Sequence, residues 1–314
     1  MLTTRVTSSR HHSSTLALLA VVAVVALTAC SAPVDPPGAQ RPIEPSSDRL
    51  PNDWGAGTIT PDVRGVAYDP ANPDEANLGD VYLPRGGGNR GVLIVVHGGG
   101  FTSGARSDLH RFMGPLLRQL DRGLAIMTIS YRFDPFPAAV LDLDAAVRFV
   151  RGPDGAALGL NPASVLVAGH SAGGTIAADL ALAADRGAVA PFGQLSRVDG
   201  WITVAAPLDL DASMPWGRAA RAEWRADDEP AASPLVNLST GDPPGLMIHG
   251  DEDTVVPAEH ARRMQSRAVA IGVDRPELDL VTDAPLSCRQ HAPTCGASIR
   301  GIDRFVDRVT ASAI

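Results

Sequence analysis

Two glycine-rich motifs in this chain contain the residues whose types and spacing could do chemistry. One is HGGGF (97–101), the other is GHSAGG (169–174), and each directly follows an apolar run. The second contains the G-x-S-x-G pattern of a nucleophile elbow, a strained strand-to-helix turn that exposes a serine hydroxyl. The first has the form of an oxyanion loop, whose backbone N–H groups can stabilise a developing alkoxide. Together, in this order, they indicate acyl-transfer chemistry.

Length and composition favour one sizeable domain and argue against one class of partner. The chain has 314 residues, and 45% of them are hydrophobic, which is enough for a large buried core. Its formal net charge is -8, and it contains no block of basic residues. Because binding of nucleic acids depends on clustered lysine or arginine at the phosphates, we expect no nucleic-acid partner.

The elements that must position the two motifs alternate between strand and helix. Continuous apolar runs are typical of central strands that are covered on both faces. We predict eight strands, at 63–69, 79–84, 91–97, 124–131, 163–169, 201–206, 245–250 and 277–282. The first two should form an antiparallel pair at one edge of the sheet. We predict helices at 107–122, 138–151, 172–184, 257–272 and 297–311. This alternation predicts an α/β fold with a mostly parallel eight-stranded sheet flanked by helices.

The segment 209–242 interrupts the alternation between the sixth and seventh strands. It contains Trp216, Trp224 and two short stretches rich in arginine and alanine. A loop of this length inside a compact domain is usually functional, which favours a small lid or a pocket wall. An ordinary excursion over the surface is the alternative.

From about residue 60 to its end, the chain resembles the α/β-hydrolase superfamily. Five segments are similar to motifs of the hormone-sensitive-lipase-type carboxylesterases: HGGGF, SYR (130–132), FPAA (136–139), GHSAGG and HGDEDTVVP (249–257). GHSAGG is closer to the feruloyl-esterase-like and kynurenine-formamidase-like branches, because lipase-type members usually carry aspartate where His170 stands. The segment between Tyr-Arg (131–132) and Phe-Pro (136–137) is also shorter than in lipase-type members, with only residues 133–135. The resemblance implies an α/β-hydrolase fold that uses a serine nucleophile.

Ser171 is the expected nucleophile. A free hydroxyl attacks poorly at neutral pH and needs a neighbouring imidazole to take its proton. The expected oxyanion donors are the backbone N–H of Ala172, which follows the nucleophile, and those of Gly98 and Gly99. The sequence leaves open which of the loop glycines point inward.

The expected base is His291, which follows the last predicted strand, where the fold that the chain resembles places its base. Two of the eight histidines lie near the N-terminus and two belong to the motifs above. His249 ends a predicted strand, whereas His110 and His260 fall within predicted helices. The resulting chain order of serine, acid and histidine is the one that this fold requires.

Two carboxylates, Asp251 and Asp253, compete for the role of the acid. The resembling motif HG-x-x-D-x-x-V-P selects Asp253, which would hold the imidazole in the right tautomer and stabilise the imidazolium. Asp251 is the alternative acid. Otherwise Asp251 and Glu252 are expected to be solvated or structural residues of the turn.

The expected base also lies between two cysteines, Cys288 and Cys295. In an exported protein, such a pair favours a disulfide, which here would stiffen the loop of the base. A zinc site is the alternative, but C-x2-H-x3-C supplies three ligands and no obvious fourth. We therefore expect no metal and no organic cofactor.

Residues 1–29 resemble a bacterial lipoprotein signal peptide. A short basic stretch precedes the apolar run 15–27, which is too short for a stable transmembrane helix. The run closes with LTAC (27–30), similar to a lipobox, in which the cysteine, here Cys30, is lipidated. Residues 30–56 have the composition of a Pro-rich tether, which leaves 57–314 as the hydrolase domain. Ordinary secretion is the alternative.

The resemblance and the N-terminal segment lead to one functional expectation. The chain should be a serine carboxylesterase that acts on short-chain or carbohydrate-linked acyl esters, held by a lipid anchor at the outer face of the cell membrane. A formamidase-like amidohydrolase is one alternative, and a catalytically silent surface-binding module is another. The intact set of nucleophile, acid, base and oxyanion loop argues against the silent module. The sequence does not fix the oligomeric state.

Overall fold

A computed structural model describes eight stretches of the chain, namely residues 59–72, 74–85, 88–108, 114–184, 191–211, 213–226, 230–293 and 296–311. All of them belong to one compact unit, Pro45–Ile314. The predicted signal peptide and tether, residues 1–56 with Cys30, lie outside the described residues. Within these stretches, no helix is both long and apolar enough to cross a membrane.

The described residues form one eight-stranded sheet. Its strands are β1 (Val63–Ala67), β2 (Leu78–Tyr82), β3 (Gly91–Val96), β4 (Leu124–Ile129), β5 (Val165–His170), β6 (Gly200–Val204), β7 (Gly245–Gly250) and β8 (Glu277–Val281). They lie in the order β1-β2-β4-β3-β5-β6-β7-β8. Strand β2 is antiparallel to both β1 and β4, and the other neighbouring pairs are parallel. The predicted strands and the antiparallel edge pair are confirmed.

Helices cover both faces of the sheet. Those in the described part are α1 (Gly114–Leu117), α2 (Ala138–Arg151), α3 (Pro153–Ala157), α4 (Ala172–Ala183), α5 (Gly217–Glu223), α6 (Pro234–Asn237), α7 (Glu259–Ala270), α8 (Leu286–Arg289) and α9 (Gly296–Ala311). Alternate residues of β3 pack into two separate clusters, one with α2, α4 and α7 and the other with α1 and α9. Burial on both faces explains why this strand is a continuous apolar run.

The predicted helix at 107–122 is wrong in its extent. A 3-10 turn (Arg106–Asp108), helix α1 and a second 3-10 turn (Arg118–Leu120) stand in its place, and residues 109–113 lie outside the described part. Pro115 is the second residue of α1. Because proline lacks a backbone N–H and clashes inside a helix, it is tolerated in the first turn and would interrupt a longer helix.

The insertion between β6 and β7 lies where the sequence predicts it. Its described part contains α5, α6 and a 3-10 turn at Pro230–Ala232. Its contacts with the rest of the domain include one to α4 and one to α7. The Asn237 side chain donates to Asp179 on α4 at 3.1 Å, and the His260 ring of α7 contacts the carbonyl oxygen of Pro215 at 2.9 Å.

Candidate active site

Ser171 lies at the tight turn between β5 and α4. Its backbone has φ 52° and ψ -125°, a sparsely populated conformation for a residue with a Cβ. The turn requires glycine on both sides. A Cβ on Gly169 would lie 2.1 Å from the carbonyl oxygen of Gly173, and one on Gly173 would lie 2.3 Å from the carbonyl oxygen of Val96. The sequence GHSAGG therefore folds into the strained elbow that it predicts.

Three segments bring Ser171, His291 and Asp253 into one hydrogen-bonded line. The Nε2 atom of His291 lies 3.1 Å from Oγ of Ser171, and its Nδ1 atom lies 2.8 Å from Oδ2 of Asp253. Asp253 follows β7 and His291 follows α8, so both reach the carboxyl end of the parallel strands, where the elbow lies. The Asp253 side chain is fully buried, whereas that of His291 is 23% exposed. His291 thus reaches the surface of the site, whereas Ser171 itself is 6% exposed.

Asp253 is held in its ionised form. Its Oδ1 accepts hydrogen bonds from the backbone N–H groups of Val255 and Val256, each at 2.9 Å. The Nε2 atom of His249 lies 3.5 Å from its Oδ2. Burial by itself raises the pKa of Asp253, but hydrogen bonds from His249, His291 and Val256 outweigh burial and hold that pKa well below its usual value. The carboxylate can therefore stabilise a positive imidazole.

Asp251, the alternative acid, has a different partner. Its two carboxylate oxygens each lie 2.7 Å from a guanidinium nitrogen of Arg289, which also contacts Glu252 at 3.0 Å. Hydrogen bonding to Arg289 lowers the pKa of Asp251. These contacts join the turn after β7 to α8. Asp251 thus supports the segment that leads to His291, and Asp253 is the carboxylate that contacts the ring.

The expected oxyanion donors lie next to the nucleophile. A Cβ on Gly98 would be 3.2 Å from Cβ of Ser171, so the loop passes directly over the elbow. Ala172 is the first residue of α4, and the N–H of a first helical residue has no acceptor within its helix. The carbonyl oxygen of Gly99 accepts from the backbone N–H groups of Thr102 and Ser103, at 3.2 and 3.1 Å. These bonds fix the turn of the loop.

The SYR motif packs against the oxyanion loop. The ring of His97 stacks on Tyr131 with 4.4 Å between centroids, and its Nδ1 lies 2.7 Å from the carbonyl oxygen of Gly98. Burial lowers the pKa of His97, which keeps the ring neutral. Arg132 is bound in turn to the buried Asp142 of α2, with its backbone N–H at 2.8 Å and its Nη2 at 2.6 Å.

Two histidines contact the line in a way that the sequence did not predict. His249, at the end of β7, is the second ring beside Asp253, and its Nε2 also lies 2.8 Å from the carbonyl oxygen of Val256. His170, directly before Ser171, contacts the backbone of His291 through its Nε2 at 2.7 Å. The sequence places these histidines close to the predicted acid and nucleophile, which was the one available signal. Their contacts with Val256 and His291 depend on the way that separate segments meet in the fold.

The cysteines near His291 are only partly described. Cys288 lies in α8 and is disulfide-bonded. Cys295 lies outside the described residues, so its pairing with Cys288 stays a prediction. In the part of the chain that the structure covers, no group of three or more histidine, cysteine, aspartate or glutamate residues is arranged to hold a metal ion.

Comparison with protein families identifies the group to which this architecture belongs. The family model BD-FAE matches residues 79–268, which include both glycine-rich motifs and Asp253. The chain belongs to the BD-FAE family. Among curated proteins, it is 30% identical over 228 residues to "Esterase LipQ" of Mycobacterium tuberculosis, covering 67% of this chain and 52% of that protein. It is 29% identical over 258 residues to "Esterase LipC" of the same organism, covering 72% and 62%. The chain thus spans between half and two thirds of these relatives.

Solved structures establish the fold. A carbohydrate esterase from gut microbiota, in truncated form, superposes with a TM-score of 0.66 at 22% identity, covering 79% of this chain and 96% of that one. Esterase 2 of Thermogutta terrifontis, phosphonylated by sarin, gives a TM-score of 0.65 at 23% identity, covering 79% and 95%. With the sheet order described above, they confirm the predicted α/β-hydrolase fold.

Proposed function

We propose that this chain is a serine carboxylesterase that acts through Ser171, His291 and Asp253. The observation that carries the proposal is the continuous line of contacts from Ser171 Oγ to His291 Nε2, at 3.1 Å, and from His291 Nδ1 to Asp253, at 2.8 Å. Such a line lets an imidazole take the proton of an otherwise unreactive hydroxyl. The esterase names of the similar mycobacterial proteins support the same reaction class.

The reaction proceeds in two acyl-transfer steps. Ser171 Oγ attacks the ester carbonyl carbon while its proton moves to Nε2 of His291, and Asp253 stabilises the resulting imidazolium. The carbonyl oxygen becomes an oxyanion, which accepts hydrogen bonds from the backbone N–H groups of Ala172 and of the glycine loop. On collapse, the ester C–O bond breaks and the alcohol leaves with the proton from Nε2. Water then repeats the sequence on the acyl-enzyme, releases the carboxylic acid and regenerates Ser171.

We propose short-chain or carbohydrate-linked acyl esters as the substrate class. The support is the likeness of the sequence motifs to carboxylesterases and of the fold to a protein described as a carbohydrate esterase.

A series of p-nitrophenyl esters with acyl chains of two to twelve carbons tests the reaction and its chain-length preference. We expect highest activity at the short end and loss of most turnover in Ser171→Ala and His291→Ala. Ser266→Ala is a matched control, since that exposed serine on α7 bonds only within its own helix, to the carbonyl oxygen of Arg262. Undiminished turnover in Ser171→Ala would overturn the proposal. Preference for the matching anilides would favour the amidohydrolase instead.

We also propose that the protein is exported and anchored by lipid at Cys30, in the segment outside the described residues. The support is the LTAC sequence behind an apolar run, together with the disulfide bond of Cys288, which is typical of an oxidising compartment. In a bacterial host, Cys30→Ala should move the protein from the membrane fraction to the soluble fraction. An unchanged distribution of the variant would contradict a lipid anchor.

A further inference from the structure

The mechanism above leaves one buried histidine of the site without a role. His170 is the last residue of β5 and directly precedes Ser171, and it is only 3% exposed. Its Nε2 atom lies 2.7 Å from the backbone carbonyl oxygen of His291. A carbonyl oxygen accepts hydrogen bonds and cannot donate them, so Nε2 of His170 must carry the proton. The contact is therefore a hydrogen bond from the neighbour of the nucleophile to the backbone of the expected base.

This bond joins the strand that carries the nucleophile to the segment that carries the base. The two residues are 121 positions apart in sequence, and the chain enters and leaves His291 through a segment without regular structure. Asp253 fixes the far side of the imidazole through Nδ1, and the backbone N–H of Glu252 donates to the carbonyl oxygen of Arg289, which joins the segment to the turn after β7. The His170 bond fixes the backbone of His291 relative to β5, and Ser171 continues directly from β5. The nucleophile and the backbone of the base are thereby both held in place by β5.

We propose that His170 is a positioning residue, which holds the backbone of His291 so that its Nε2 stays within reach of Ser171 Oγ. The proposal rests on the proposed serine mechanism and adds a residue to it. It assigns no proton transfer to His170, whose ring contacts that of His291 edge to face, with 4.9 Å between centroids. Because displacement of a reacting group by about 1 Å can cost on the order of a hundredfold in rate, a single backbone bond is enough to matter.

The neutral form of the ring is part of this role. The titratable groups that act on His170 are His291, Asp253 and His249. Burial, with the nearby His291 next in importance, lowers the pKa of His170 to about 4. His291 becomes positive during the reaction, and a second positive ring beside it would oppose that change. A neutral histidine supplies the N–H without adding a charge.

Substitutions that separate the donor from the shape of the side chain test the proposal. Glutamine places an amide nitrogen near the position of Nε2, whereas methionine has similar length and no donor. With a p-nitrophenyl ester of a short acyl chain, we expect His170→Met to lower kcat by about 10- to 100-fold with little change in KM. We expect His170→Gln to recover most of the loss. The acidic limb of the kcat/KM profile should stay in place in both variants, since neither changes the charge near His291.

A third variant keeps the test decisive should methionine prevent folding. His170→Asn also carries an amide, but its nitrogen is one bond too close to the backbone to reach the carbonyl oxygen of His291. We expect kcat at least tenfold lower in His170→Asn than in His170→Gln, at similar unfolding temperatures. Equal kcat in these two variants, full activity of His170→Met, or a change confined to KM would overturn the proposal. If His170 variants are fully active while Ser171→Ala is inactive, the esterase mechanism stands and only the positioning role fails. An active Ser171→Ala removes both.

Discussion

The indole of Trp224 stacks on the ring of Phe101, with 4.3 Å between centroids and 7° between planes. Phe101 directly follows the oxyanion loop, and Trp224 belongs to the insertion between β6 and β7. The indole is only 1% exposed, and Phe136 packs edge-on against it at 4.9 Å. The backbone N–H of Phe136 also donates to the carbonyl oxygen of Trp224. The insertion therefore supports the oxyanion loop, which fits a pocket wall better than an excursion over the surface.

Trp224→Ala should impair both stability and turnover. Removing a buried indole leaves a cavity, and such substitutions cost about 3–5 kcal/mol of unfolding free energy. Phe101 loses its stacking partner, so the oxyanion loop becomes less ordered and kcat falls. Urea unfolding and the p-nitrophenyl ester series measure the two effects. Trp224→Phe, which keeps a stacked ring, is the control, and an equal loss in both variants would show that stacking is not the cause.

The strands were predictable because the local pattern of apolar residues reflects which faces of each strand are buried. Strand β3 is apolar at every position since both faces of the sheet are covered, whereas the edge strand β8 shows itself by the alternation of polar and apolar residues in ELDLV. The helix at 107–122 was not predictable from hydrophobic spacing alone, because Pro115 interrupts a pattern that otherwise fits a helix. The short helix α8 carries no apolar period that would distinguish it from a loop.

The site was predictable to the extent that its residues lie in local motifs. The elbow and the HGGGF loop are each a few residues long. Their glycines are required because other backbone segments approach closely, so the local sequence is enough to predict both turns. The bond from His170 to His291 joins positions 121 apart and has no local signature. The same holds for Arg289, which pairs with Asp251 across 38 positions. Such contacts follow from the tertiary arrangement of loops.

The two carboxylates of the turn after β7 should differ sharply in their importance for turnover. Asp253→Asn removes the charge that stabilises the imidazolium and favours the wrong tautomer, so we expect kcat to fall on the order of 10³- to 10⁴-fold. Asp251→Asn weakens a partly exposed ion pair with Arg289, so a loss of less than tenfold is expected. Steady-state kinetics of the two isosteric variants under one set of conditions decides the matter. The reverse ranking would mean that the acid has been misassigned.

The disulfide should stabilise the segment that carries His291. If Cys288 pairs with Cys295, it closes an eight-residue loop, worth roughly 2.5 kcal/mol in the chain-entropy description. Cys288→Ser should therefore lower the unfolding free energy by about that amount, and a reducing agent should do the same to the wild type but not to the variant. Titration of the denatured, unreduced mature protein should find no thiol from either cysteine. Two free thiols would refute this pairing and reopen the zinc alternative.

Buried histidines should make the fold less stable as the pH falls below neutrality. The pKa of His170 is about 4 in the folded protein, against an ordinary value of 6.5, and burial also lowers the pKa values of His97 and His260. Between pH 6.5 and 4 the unfolded chain therefore binds protons that the folded chain does not, so the unfolding free energy decreases as the pH falls through this window. The stability that His170 contributes is fully present above pH 6.5 and is lost by about pH 4.

The part of this effect that His170 contributes can be measured separately from that of His97 and His260. A shift of about two and a half pKa units corresponds to about 3.5 kcal/mol at most, since each unit is worth about 1.4 kcal/mol. Asp253, whose pKa is lowered, loses its contribution only below about pH 4, so the two groups act in separate windows. Urea unfolding at intervals from pH 7 to 4.5 gives the unfolding free energy as a function of pH. The slope of that dependence should be shallower for His170→Gln than for the wild type. Parallel slopes would show that His170 is protonated equally in the folded and unfolded chains, and that its ring is less completely shielded from water than its position behind Ser171 implies.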